Sequence, residues 1–63
     1  MKIYKVKEAG FNLEAGDLVY ISSVIENQKV KYYLFLEDSQ NHAPKLFMTL
    51  EKVHVDEMFE EYK

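Results

Sequence analysis

Sixty-three residues make one domain with no room for a second. A chain this short buries only about 60% of its unfolded surface, so its core supplies little more than ~3–5 kcal/mol of net stability. The absence of Cys excludes disulfide staples and thiolate metal sites, while 48% apolar residues exclude a disordered chain.

The formal net charge is −3, and every cation is a lysine. Residues 1–50 carry six Lys and six acids, so the whole acidic excess falls in the last 13 residues and argues against a phosphate-binding surface there. No apolar run approaches the ~20 residues that span a bilayer. No apolar stretch follows the lysines of MKIYKVKEAG, as a signal peptide would require. The expectation is a soluble cytoplasmic protein with no membrane partner.

Met1 to Lys7 reads as a first strand. Successive strand side chains point to opposite faces, so Tyr4 and Val6 share one face and Lys5 and Lys7 the other. Glu8 to Asp17 is a loop holding both glycines, with Phe11 and Leu13 expected to tuck over the open end of the core. Leu18 to Ile25 is the second strand, with Val19, Ile21 and Ile25 toward the core. Ser22 and Ser23 are positioned for a bulge or bend. Glu26-Asn27-Gln28 is a tight connection in which Asn27 can take a left-handed conformation, so the second and third strands form a hairpin.

Lys29 to Glu37, KVKYYLFLE, is the longest run of strand formers and the expected central strand. Val30, Tyr32, Leu34 and Leu36 make its core face. Lys31, Tyr33, Phe35 and Glu37 make the other, which carries two aromatics and needs covering, either by a C-terminal helix of the chain or by a partner. Asp38 to Pro44 is a polar loop. Lys45 to Leu50 is a fourth strand, with Leu46, Met48 and Leu50 on one face and Phe47 and Thr49 on the other. Glu51 to Val55 alternates like a short fifth strand or extended link; the alternative is a helix starting at Thr49 or Leu50, which two close β-branched residues disfavour a little. A helix of about two turns then starts at Asp56, a good N-cap, with Val55, Met58, Phe59 and Tyr62 along one face. A helix that short must dock on something.

Chemistry is sparse. Ser22 and Ser23 lie mid-strand, apart from both histidines, and neither a nucleophile turn nor a phosphate-cradling glycine loop is present. His54 and Asp56 are spaced to point the same way on an extended segment, with Glu57 or His42 as further candidates, but no third ligand completes a zinc set. We therefore expect no metal and no cofactor, and no enzymatic activity. Glu37-Asp38 and the Asp56, Glu57, Glu60 and Glu61 cluster read as solvated acidic faces, since acid–base work needs a pocket that separates carboxylate pKa values.

Leu13-Glu14-Ala15-Gly16-Asp17-Leu18-Val19 resembles the opening of many SH3-like small barrels, where a loop ends at a Gly-Asp turn before the second strand. The resemblance implies a mainly β fold: an antiparallel barrel of four to five strands, here with a short C-terminal helix. It carries no function with it.

Two function classes follow. The first is a protein-interaction module, a small regulator or inhibitor of the kind that compact bacterial or phage genes encode. Its candidate binding residues are Lys31, Tyr33, Phe35, Asp56, Glu57, Glu60 and Glu61. The second is a nucleic-acid-binding barrel using Lys5, Lys7, Lys31, Tyr33 and Phe35, on whose rings bases would stack. The net charge and the lack of Arg weigh against it. A homo-oligomer joined through a strand edge or the Tyr33/Phe35 face is compatible with the first.

Overall fold

The alternating stretches become five antiparallel strands in one sheet. The computed structural model describes residues 1–38, 40 and 43–63, Asp38 by its backbone alone. The elements are β1 (Lys2–Val6), β2 (Leu18–Glu26), β3 (Lys29–Asp38), β4 (Ala43–Leu50), α1 (Lys52–Met58) and β5 (Phe59–Glu61). Strands β1 to β4 form a meander and β5 returns to the far side of β1, giving the order β4-β3-β2-β1-β5. The fold is thus β-rich with one short helix, as the sequence implies.

The core is one cluster of Val6, Leu13, Val19, Ile21, Leu34, Leu50, Val55 and Phe59. Leu50 ends β4 and Phe59 begins β5, which lie at opposite edges of the sheet. For both to enter one cluster the sheet must curl around its apolar face. Among the described residues no ladder joins β4 to β5, so the curl stops short of a hydrogen-bonded barrel.

The Gly-Asp turn has a local cause. Gly16 sits at φ 98°, in the left-handed region, and Asp17 N–H donates to the Glu14 carbonyl. The Asp17 carboxylate accepts from Glu14 N–H at 3.0 Å and closes the turn from the other side. Val6 N–H donates to the Asp17 carbonyl, and Gly16 N–H to that of Val6, so the turn is tied to β1. Leu13 is buried as expected, whereas Phe11 is 38% exposed and lies against His54 instead of over the core.

Several expectations are corrected. The helix precedes the fifth strand rather than following it. It starts at Lys52, so Asp56 lies inside it and is not its N-cap. Two features outweigh the reluctance of Val53 and Val55 to be helical. Val55 is buried in the core, and Glu51 N–H donates to Nδ1 of His54 at 3.2 Å, satisfying an otherwise orphan donor at the helix start.

Ser22 and Ser23 pair in unbroken register with Tyr33 and Tyr32 and make no bulge. The irregularity lies instead between β3 and β4. Leu34 opposes Met48 and Phe35 opposes Leu46, leaving Phe47 as the extra residue. This turns Leu46 away from the face of Met48 and Leu50 that alternation gives it. Ile25 and Val30 sit on the core face but are 76% and 51% exposed, because the β2–β3 hairpin runs on past the core.

Candidate interaction surface

With the core on one face, the other face of the sheet is its outside, and the register says what stands there. Ile3 opposes Tyr20, Tyr20 opposes Phe35, and Phe35 opposes Leu46. Tyr62 N–H donates to the Ile3 carbonyl at 2.9 Å, one residue beyond the Tyr4–Glu61 pair, so Tyr62 continues the series past β5. Tyr62, Ile3, Tyr20, Phe35 and Leu46 therefore form one transverse row. It crosses five strands, about 19 Å at the usual strand spacing.

Tyr62 is 50% exposed, Leu46 53% and Ile3 39%, while Tyr20 and Phe35 are half-buried between neighbours in the row. Leu18 and Phe47, beside the row, are exposed too.

Polar rows flank the apolar one. On one side Lys5 opposes Glu60 across β1 and β5. On the other, Ser22, Tyr33 and Thr49 stand in register. Beyond them Glu26 gathers two partners: the Tyr33 hydroxyl donates to its Oε2 at 3.2 Å, and Lys31 Nζ lies 3.5 Å from the same oxygen. An apolar strip thus runs between rows that carry charges of both signs. Where the chain leaves β4 for α1, a hollow of about 360 Å³ opens between Lys31, Tyr33 and Thr49 on one side and Glu51 and His54 on the other. Compared with family models, with curated proteins and with solved structures, the chain matches none of them.

The residues singled out from sequence do not all meet. Lys31, Tyr33 and Phe35 share the outer face of β3, as alternation implies. The helix does not cover them, because it docks through Val55 on the opposite, core-lined face. Tyr33 and Phe35 are half-buried between cross-strand neighbours, and Lys31 is exposed. Glu60 and Glu61 lie on β5, three strand spacings or about 14 Å away along the sheet, and Asp56 and Glu57 are exposed on α1.

The acidic end is also less free than its composition suggests. Glu61 lies 3.7 Å from Lys2, Glu60 opposes Lys5, and Asp56 accepts from Lys52 at 2.8 Å. The hydrogen bond from Lys52 to Asp56, with the carboxylate charge, raises the Lys52 pKa above the ordinary 10.5.

Lys7 Nζ donates to the Asp56 carbonyl at 3.3 Å. The three lysines of the nucleic-acid reading thus each have an acid or carbonyl beside them. His42 lies outside the described residues. Among the described residues no group of His, Asp and Glu is placed to hold a metal, and no helix is long and apolar enough to cross a membrane.

Sequence reasoning missed Tyr62, Ile3, Tyr20 and Leu46. Alternation gave the faces of Ile3 and Tyr20 only relative to their own strands. Nothing in KLFMTL marks the bulge that turns Leu46 outward.

Proposed function

We propose that the chain is a non-enzymatic protein-interaction module. It docks on a protein partner through the row Tyr62–Ile3–Tyr20–Phe35–Leu46 and regulates or inhibits that partner by occupying its surface. One observation carries this reading. Each of four strands, and the segment just past β5, contributes an aromatic or aliphatic side chain to one continuous outer row, and three of the five are exposed. Contiguous apolar patches on a small domain mark interaction sites more often than scattered exposed residues do. Tyrosines such as Tyr20 and Tyr62 are enriched among residues that dominate binding energy. The flanking Lys5/Glu60 and Lys31/Glu26 pairs supply a rim that orients the partner and makes association weaken as salt rises.

The test is capture from host lysate after nuclease treatment, with wild type beside Leu46→Glu and Val53→Glu. Both positions are about half exposed, and Val53 lies on α1 away from the row. A defined protein retained by wild type and by Val53→Glu, and lost with Leu46→Glu, supports the reading. Retention by all three removes the row as the docking surface. Recovery that disappears with nuclease transfers the weight to nucleic acid. Tyr33→Ala and Phe35→Ala should stay folded. If either unfolds the domain, its ring belongs to the structure and not to a contact surface.

A further inference from the structure

β2 and β3 outrun the core they help to build. Past the buried pair Ile21–Leu34, the same face continues through Ser23–Tyr32 to Ile25–Val30, beside the turn. Ile25, 76% exposed, is the most exposed large apolar side chain among the described residues, and its cross-strand partner Val30 is 51% exposed. One row back, this face opens into a hollow of about 300 Å³ whose walls include Met1, Tyr4, Ile21, Ser23 and Tyr32. An aliphatic knob and a partly aromatic hollow therefore lie side by side on one ribbon. They are about 7 Å apart, two residues along a strand. A two-fold axis passing between them carries the knob of each copy into the hollow of the other, as an isologous interface requires.

We propose that the chain forms a homodimer in which the Ile25–Val30 tip of each β2–β3 hairpin seats in the Tyr4–Tyr32 hollow of a second copy. The surface area points the same way. The chain exposes 4825 Å². A compact monomer of its 7.5 kDa exposes roughly 4,250 Å² by the scaling of surface with mass. The excess of roughly 600 Å² approaches the ~800 Å² that each partner buries in a standard interface.

The apolar balance agrees. Among the described residues eleven large hydrophobic side chains are exposed against eight buried, and the dimer covers Met1, Ile25 and Val30. It strands no lone side-chain charge. Lys2, at the edge of the hollow, is beside Glu61, and Glu26 and Lys29, flanking the knob, oppose each other across the hairpin. This interface lies on the opposite face of the sheet from the outer row, so the dimer leaves both docking rows open.

Sedimentation equilibrium over a concentration series tests it, with wild type, Ile25→Glu, Ser23→Trp and Leu46→Glu. The first variant puts a charge on the knob and the second fills the hollow, both at exposed positions that the fold does not need. The expected wild-type mass is twice 7.5 kDa. Ile25→Glu and Ser23→Trp should each weaken the dimer by roughly thirty-fold or more, the size of a hot-spot loss, and Leu46→Glu should leave it intact. A wild type that keeps the single-chain mass throughout overturns the dimer without touching the docking row. A dimer broken by Leu46→Glu and not by Ile25→Glu overturns this interface and places the contact on the outer face.

Discussion

Among the described residues, four other than glycine hold positive φ, and they come in two adjacent pairs. Asn27 at 50° and Gln28 at 64° join Glu26 to Lys29, while Phe11 at 53° and Asn12 at 65° join Gly10 to Leu13. Two central residues in the left-handed region are what a two-residue hairpin loop of the primed type demands, because its twist matches that of the flanking strands. Asn tolerates the conformation, whereas Gln and Phe crowd their Cβ against the carbonyl. Gln28→Gly should remove about 1–2 kcal/mol of that crowding against about 0.5–1 kcal/mol of added chain entropy. A net gain of about 0.5–1 kcal/mol should raise the melting temperature by several degrees in a thermal scan. Phe11→Gly should behave differently. The Phe11 ring meets His54 edge-on, with centroids 5.3 Å apart and planes at 84°, a contact worth about 0.5–1.5 kcal/mol. Backbone relief and lost ring contact should then cancel, leaving the melt nearly unchanged. A large gain at Phe11 would mean that the ring contact contributes nothing.

At the scale of the element, the helix shows why part of the fold could not be read from sequence. Val53 and Val55 fit a strand's period of two, while Val55, Met58 and Phe59 fit a helix, and the two patterns share a residue. The decision came from tertiary burial of Val55 and from a cap built of Glu51 and His54, types that do not announce a helix start. The strands fared better, because β1, β2 and β3 each alternate cleanly against a single core. The outer row was out of reach for a different reason: it joins residues from position 3 to position 62 through register, and one bulge decides whether Leu46 belongs to it. Within α1, the Lys52–Asp56 pair carries a pH dependence of defined sign. Its hydrogen bond raises the Lys52 pKa. Whatever stability the pair contributes is therefore fully present below 10.5, the ordinary lysine value, and is lost as pH rises through the raised value. Both partners are exposed, so the contribution is small. Chemical denaturation of wild type and Asp56→Asn should show a constant small difference from neutral pH to about pH 10, closing above it. A difference that widens in alkali would reverse the sign and sink the assignment.

For the molecule as a whole, the decisive quantity is how little it buries. Eight apolar side chains form the core, no polar side chain is buried among the described residues, and the chain has no disulfide to lean on. Leu34, at 0% exposure, sits on the central part of β3, opposite Ile21 on β2 and Met48 on β4. Leu34→Ala removes a fully enclosed side chain, which costs about 2–5 kcal/mol in lost transfer energy and cavity. Set against a reserve of ~3–5 kcal/mol for a chain of this size, that loss should leave a large unfolded fraction at 25 °C. Far-ultraviolet circular dichroism and the spread of amide proton shifts would both report it. Val53→Ala is the matched control. Val53 is 47% exposed on α1, and its removal should change stability by no more than about 0.5 kcal/mol. If Leu34→Ala instead melts cooperatively within a few degrees of wild type, the core must be able to close over a missing leucine. Stability would then reside in the ladders and turns that tie β1 to β2 and β5, and the eight buried side chains would understate what holds the chain together.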